Sequence, residues 1–248
     1  MKISLAQIKP SRGNILENIR IHKTWINLAV SENTDLIVFP ELSLSAYEPQ
    51  LAKELAMEEN NPSLDIFQKI SDLNDIAIGL GIPTKSKSGI LISMAIFQPK
   101  QSRKIYSKQK LHSDEIPYFI KGFGQLVLTI KNKKIAPAIC YESLQEEHSK
   151  NVKKLGGEVY LACVAKSQNG IEKAFQHYPK IAKKYSMTVL MCNSIGFCDN
   201  FISVGQSAIW NEKGELIAKL ENNKEGLLIF DTETGKAIKK EKTTVNNP

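Results

Sequence analysis

The sequence has few cysteines. Cys140, Cys163, Cys192 and Cys198 occur in 248 residues, and no two of them form a C-x-x-C pair. Disulfide frameworks are typical of short secreted chains, so in a chain of this length we expect free thiols. A zinc site made of Cys192, Cys198 and His177 would match no ligand spacing that is typical of that metal. The cysteine pattern therefore predicts no metal site.

Long apolar runs are also missing. The amino-terminal MKISLAQIKP lacks the apolar core of a signal peptide, and no run approaches the roughly 20 apolar residues of a membrane-spanning helix. We therefore expect a cytoplasmic protein with no membrane partner. The net charge of +7 comes from scattered lysines, with no basic run interleaved with aromatic residues. This distribution argues against a nucleic-acid partner.

No change of composition marks a linker, and no internal repeat is visible. We predict one domain over residues 1–248, with a core to about residue 231 and a loose, polar and basic tail over 236–248. Strand-like segments, the first from Lys2 to Ile8, alternate with helical patterns such as that from Asn14 to about Val30. The sequence predicts an α/β fold, a four-layer α-β-β-α sandwich with two central sheets flanked by helices.

The segment IAPAICYES places Cys140 where an apolar strand meets a polar turn. A nucleophilic cysteine needs partial access and a nearby group that takes its proton. Among the histidines, only His112 lies in a loop. His22 lies on an apolar helical stripe and is expected in the core, whereas His148 and His177 lie in lysine-rich helices with a solvated face expected. A Cys-His pair is therefore the weaker hypothesis for the base.

A carboxylate can replace histidine as the base if burial raises its pKa. Glu41 follows the apolar segment DLIVF and Pro40, so its side chain emerges at a strand end, as that of Cys140 does. A lysine is protonated at neutral pH and can stabilise an oxyanion. The segment YSKQKLHSDEIPYFIKG offers Lys108 and Lys110 for that task, and the residues alone do not choose between them.

Together these segments resemble the nitrilase superfamily of carbon–nitrogen hydrolases. In order, that family carries Glu after F-P, Lys in Y-x-K-x-x-L and Cys in a C-Y/W-E/D turn, which correspond here to FPE at Glu41, YSKQKL at Lys108 and CYE at Cys140. A second family glutamate begins an E-x-x-x-F-x-x-G pattern, which matches Glu115 in EIPYFIKG. The resemblance extends from MKISLAQIKPSRGNILENI to GQSAIWNEKGELIA and on to about residue 231.

The resemblance implies hydrolysis of a non-peptide carbon–nitrogen bond through a thioester acyl-enzyme. Glu41 would be the base, Lys108 and the Tyr141 backbone N–H would stabilise the oxyanion, and Glu115 would position Lys108. Many members have K-x-H-L, with histidine where this chain has Lys110, and the Y-x-K-x-x-L register selects Lys108. The family also implies no metal and no organic cofactor, a small-molecule amide substrate, and a homodimer or larger homo-oligomer.

The tyrosine after Cys140 favours a linear amide or carbamoyl substrate, because family members that act on nitriles more often have tryptophan there. Nitrile hydrolysis on the same triad stays open as an alternative, as does a non-catalytic binding or scaffold member. Loss of Glu, Lys or Cys would be typical of such a member, and all three are present. Candidate substrate-binding residues, each with an equally good packing interpretation, are Tyr47, Tyr118, Tyr141, Lys166 and Asn193. Lys166 would suit a substrate carboxylate.

Overall fold

The computed structural model describes residues 1–241, which form fifteen strands and five α-helices. The strands are β1 Lys2–Gln7, β2 Leu36–Val38, β3 Ala77–Ser86, β4 Gly89–Phe97, β5 Lys104–Ser107, β6 Leu128–Ile130, β7 Lys133–Ile139, β8 Val159–Val164, β9 Thr188–Asn193, β10 Ile195–Cys198, β11 Phe201–Val204, β12 Ala208–Trp210, β13 Leu216–Lys219, β14 Gly226–Asp231 and β15 Lys236–Lys240. The helices are α1 Ile15–Ser31, α2 Ala52–Leu55, α3 Asp65–Asn74, α4 Glu146–Lys154 and α5 Gln168–Tyr185.

Two large mixed sheets occupy the centre of the fold. The first has the strand order β15-β14-β1-β2-β3-β4-β5, and the second has the order β13-β12-β9-β8-β7-β6. Within them β1, β2 and β3 are parallel, as are β7, β8 and β9. Parallel neighbours need a crossover connection, and α1 to α3 supply it for the first sheet while α4 and α5 supply it for the second. The β10–β11 hairpin stands apart as a two-stranded sheet.

Three apolar clusters fill the spaces between four layers. One contains side chains from both sheets, such as Leu5 of β1 and Leu161 of β8. A second joins the first sheet to α1 and α3, with Trp25 among its members, and a third joins the second sheet to α5, with Tyr178. The order is therefore helix, sheet, sheet, helix, as the sequence predicts.

The alternation of side chains along the strands produces this layering. In β1, Leu5 belongs to the cluster between the sheets, and the next residue, Ala6, belongs to the cluster under the helices. In β8, Tyr160 and Leu161 divide in the same way. Successive side chains of a strand point to opposite faces, so a sheet covered on both faces needs apolar residues at both. This explains continuous apolar runs such as VYLACV in β8.

Three details differ from the sequence-based prediction. Residues 236–240 are not a loose tail, since β15 pairs with β14 in antiparallel register; residues 242–248 lie outside the described part of the chain. His148 is buried instead of solvated. The sequence pattern predicts a helix from Glu172 to Ser186 that is kinked or interrupted by Pro179, whereas α5 begins at Gln168 and continues through Pro179 to Tyr185. Within residues 1–241, no helix is both long enough and apolar enough to cross a bilayer.

Candidate active site

Four strands of the two sheets bring the candidate residues to one place. Glu41 follows β2 by a short turn, Lys108 comes directly after β5, and Cys140 directly after β7. Strand β5 runs in the same direction as β2 and β3, because the two antiparallel pairings through β4 restore that direction. Its carboxyl end therefore lies at the same edge as the end of β2. Lys166 comes just after β8, beside Cys140 on the second sheet.

A buried lysine lies between two buried carboxylates. Lys108 Nζ donates to Glu41 Oε1 at 2.7 Å and to Glu115 Oε1 at 2.5 Å, and all three side chains are enclosed by protein. Burial lowers the pKa of Lys108, but the negative charges of Glu41 and Glu115 outweigh it, so the net shift is upward. The lysine is therefore a fixed cation, as an oxyanion donor must be.

Glu115 is held in place from its other side as well. Tyr47 Oη donates to Glu115 Oε1 at 3.0 Å, and the His112 backbone N–H donates to Glu115 Oε2 at 2.7 Å. The backbone of Lys108 is fixed too, since its N–H donates to the Ile92 carbonyl at 2.8 Å. Because both oxygens of Glu115 accept hydrogen bonds, this carboxylate is suited to hold the lysine in position.

Glu41 has one oxygen without a partner. Among the described residues, Oε2 of Glu41 accepts no hydrogen bond, whereas Oε1 is bound to Lys108. Burial raises the pKa of Glu41 to about 7, against the opposing charge of Lys108. A carboxylate with a pKa near neutrality can take a proton in one step and return it in another.

The turn that carries Glu41 is locked onto β3 and α1. Ser43 Oγ accepts from the Gly81 N–H at 3.2 Å and lies 2.9 Å from His22 Nε2. A Cβ at Gly81 would lie 2.2 Å from the Leu42 nitrogen, so only glycine allows this approach. Burial lowers the pKa of His22 to about 4, which keeps this imidazole neutral in the core. The core position expected for His22 from its helical stripe is what the structure shows.

Cys140 begins a short 3₁₀ turn, Cys140–Leu144, with a left-handed φ of 45°. A non-glycine residue rarely adopts this conformation, and such strain is common at functional sites. Cys140 is partly exposed, whereas the other three cysteines are buried. Although part of the residue is exposed, loss of hydration around the sulfur and the charge of Glu41 raise the pKa of the Cys140 thiol to about 12. Cys140 is therefore a neutral thiol at neutral pH. The thiol therefore needs a base before it can attack.

Glu142 of the CYE turn joins this turn to the lysine segment. Its Oε1 accepts from the Ile139 N–H and from Tyr106 Oη, each at 2.7 Å, and its Oε2 accepts from the Gln109 N–H at 2.5 Å. Tyr106 and Gln109, which flank Lys108, and Ile139, which precedes Cys140, are thus tied to one carboxylate. His148 supports the same cluster, with Nε2 2.8 Å from Tyr106 Oη.

The five candidate substrate-binding residues differ in their positions. Tyr47 lies at Glu115, Tyr141 follows Cys140 and its ring contacts that of His112, and Lys166 Nζ lies 4.0 Å from Cys140 Sγ. Asn193 is buried behind Lys166, with Oδ1 accepting from the Lys166 N–H at 2.8 Å. Tyr118 is 40% exposed, and its hydroxyl makes no hydrogen bond to the described residues.

Sequence reasoning missed the supporting residues of the site. Glu142 was visible in the CYE motif, but nothing local showed that its partners are 33 and 36 residues away. Ser203 Oγ, which accepts from the Lys166 N–H at 3.2 Å, gave no signal at all. Within residues 1–241, no group of three or more His, Cys, Asp or Glu side chains is arranged to hold a metal ion.

Comparison with known proteins identifies the class to which this fold and site belong. Residues 2–239 match the carbon–nitrogen hydrolase family, and the chain belongs to that family, within the nitrilase superfamily. The NitN amidase from Nesterenkonia sp. AN1 has the same fold, with a TM-score of 0.86 at 19% identity over 93% of this chain and 92% of the amidase.

The relatives by sequence include glutamine-dependent NAD(+) synthetases and a probable nitrilase. A glutamine-dependent NAD(+) synthetase of Acinetobacter baylyi is 30% identical over 94% of this chain but only 44% of its own length. A probable nitrilase of Schizosaccharomyces pombe is 24% identical over 96% of this chain and 91% of its own length. The chain thus spans less than half the length of the synthetases that it matches.

Proposed function

We propose that this protein hydrolyses a linear amide through a covalent thioester on Cys140, with Glu41 as the base and Lys108 as the oxyanion donor. One observation carries the proposal. A neutral thiol lies beside a carboxylate whose pKa is raised to about 7, and the same carboxylate accepts a hydrogen bond from a buried lysine. Base, nucleophile and cation are the three groups that acyl transfer to a cysteine requires.

The reaction follows from the positions of these groups. Glu41 takes the proton of the Cys140 thiol as the sulfur attacks the amide carbon, and the carbonyl oxygen becomes an oxyanion. Lys108 Nζ donates to that oxygen, and so does the Tyr141 N–H, which lies in the first turn of the Cys140–Leu144 segment, where N–H groups have no partner within the helix. Such donors each contribute about 3 kcal/mol to transition-state stabilisation.

Three proton transfers complete the cycle. Glu41 gives its proton to the nitrogen as the C–N bond breaks, and ammonia or an amine leaves while the thioester remains on Cys140. Glu41 then removes a proton from water, which attacks the thioester carbon. The tetrahedral intermediate collapses, the C–S bond breaks, the sulfur regains a proton from Glu41, and a carboxylic acid is released. A pKa near 7 suits a group that acts as base and acid in turn.

The decisive experiment is an ammonia-release screen over ω-amides, aliphatic amides, N-carbamoyl amino acids and nitriles, coupled to mass spectrometry of the intact chain. We expect turnover of an amide and an acyl adduct on Cys140. Turnover with no adduct under rapid quenching, or full activity of Cys140→Ala, would refute the covalent mechanism. A preference for nitriles over amides would favour the alternative chemistry on the same triad.

Glutamine is the second candidate substrate, because a relative with 30% identity is described as glutamine-dependent. The match covers nearly the whole of this chain but less than half of that relative, so for this chain the proposal is limited to the release of ammonia from glutamine. The same screen tests this, with glutamine, asparagine and simple aliphatic amides at equal concentration.

The homo-oligomeric state and the cytoplasmic location stay predictions. A mass measurement in solution tests the oligomeric state.

A further inference from the structure

Lys166 is a second cation beside the nucleophile, and it differs from Lys108 in having no carboxylate partner. Its side chain is 4% exposed, and within residues 1–241 no carboxylate forms a salt bridge with it. Among the described residues, Nζ makes its hydrogen-bond contact with Cys140 Sγ, at 4.0 Å. Buried lysines are almost always paired, because an isolated buried charge is costly. The site therefore contains an uncompensated positive charge.

The thiol does not supply the missing negative charge. With its pKa raised to about 12, Cys140 is neutral at pH 7, and the charge of Glu41 is turned toward Lys108 through Oε1. Glu115 has both oxygens occupied by Lys108, Tyr47 and the His112 backbone. Glu41 Oε2 has no partner among the described residues, but neither Glu41 nor Glu115 forms a salt bridge with Lys166 there.

Hydrogen bonds hold both the N–H and the carbonyl of Lys166 in place. Its N–H donates to Asn193 Oδ1 at 2.8 Å and to Ser203 Oγ at 3.2 Å, and its carbonyl accepts from the Val204 N–H at 3.1 Å. A Cβ at Gly170 would lie 3.2 Å from the Lys166 Cβ and 3.4 Å from its Cγ, so a glycine leaves room for the lysine stem. These contacts fix the backbone position from which the Lys166 side chain extends to within 4.0 Å of the Cys140 sulfur.

We propose that Lys166 selects substrates that carry a carboxylate close to the amide, such as the monoamides of short dicarboxylic acids. Since Nζ lies 4.0 Å from the sulfur that attacks, an anion paired with it must lie within a few covalent bonds of the scissile carbon. The substrate carboxylate would then complete a charge pair that the resting site lacks. This inference rests on the proposed amide hydrolysis and assigns its substrate class.

The first test compares anionic and neutral amides of similar length. We expect kcat/KM for succinamate or malonamate to exceed that for butyramide or propionamide. Lys166→Met should lower kcat/KM for the anionic amides by about 10- to 100-fold, the range of a hydrogen bond to a charged group, and change the neutral amides far less. Lys166→Arg should restore part of the preference. Lys173→Met, on the exposed side of α5, is the matched control and should leave the ratio unchanged.

A second readout does not depend on turnover. Iodoacetate and iodoacetamide are nearly the same size and differ in charge, and both alkylate Cys140. We expect Lys166→Met to lower the ratio of the iodoacetate rate to the iodoacetamide rate, with unfolding by urea measured in parallel to confirm the fold. An equal loss with both reagents and both amide series would mean that Lys166 acts on the thiol itself, which overturns the inference. Absence of any amide turnover in the wild type would instead refute the proposed function.

Discussion

Replacing Lys108 by methionine removes the charge from the centre of the site and keeps most of the side-chain volume. Two carboxylate oxygens, of Glu41 at 2.7 Å and of Glu115 at 2.5 Å, then lose their shared cation inside the protein. Removing one partner of a buried ion pair costs roughly 3–5 kcal/mol of folding free energy. We expect a loss at the lower end of that range, because a carboxylate can take up a proton in response.

The catalytic loss should be larger than the loss of one donor. An oxyanion donor contributes about 10²–10³ in kcat, and a positioned base about 10²–10⁴. Without Lys108 the pKa of Glu41 rises further above 7, so the carboxylate is protonated at neutral pH and the base is lost with the donor. Because the donor and the ionised base both depend on Lys108, the two fold-losses in rate are not independent and do not simply multiply. A decrease in kcat/KM of at least about 10³-fold is therefore expected.

Lys110→Met is the matched control, two residues away and exposed to solvent. It should change the free energy of unfolding by less than about 0.5 kcal/mol and leave most of the turnover. The measurements are urea unfolding and ammonia release at one pH, with both variants purified and folded. If Lys110→Met is the inactive variant and Lys108→Met retains turnover, the assignment of the catalytic lysine is wrong.

Three further outcomes follow from the same site. Iodoacetamide should inactivate at one equivalent and label Cys140, the partly exposed cysteine, and survival of activity after full labelling would contradict the covalent mechanism. The kcat/KM should rise with pH as Glu41 ionises near 7 and should fall only far into the alkaline range, because the pKa of the Cys140 thiol is about 12. Glu41→Gln should abolish acylation of Cys140, whereas His112→Ala should retain substantial turnover. The reverse pattern would assign the base to histidine. Glu142→Gln should lower kcat by weakening the link between the two catalytic segments, with KM little changed, and unaltered kcat would show that this link is not needed.

Much of the fold could be predicted from the sequence, because local patterns carry it. The helical stripe after Asn14 became α1, with the Asn14 side chain accepting from the Glu17 N–H at 3.1 Å as a cap. Residues 236–240 were misjudged because their pattern is basic and polar, and only pairing with β14 makes them a strand. His148 was misjudged for a related reason. Its lysine-rich helix is polar on average, but its ring lies between the hydroxyl groups of Tyr106 on β5 and Tyr160 on β8, at 2.8 Å from each.

The sequence by itself determined the identity and order of the proposed reactive groups: a glutamate and a cysteine, each at the end of an apolar segment, and between them a lysine in the segment YSKQKL. Motif spacing also chose Lys108 over Lys110, and the structure shows the first buried and the second exposed. Only the tertiary structure decided the charges of these groups, because pKa values depend on burial and on neighbours that are distant in sequence. Glu41 and Lys108 are 67 residues apart, and Lys166 lies 26 residues beyond Cys140. Strand order brings their side chains to one edge, which places one cation between two carboxylates and leaves the other cation unpaired.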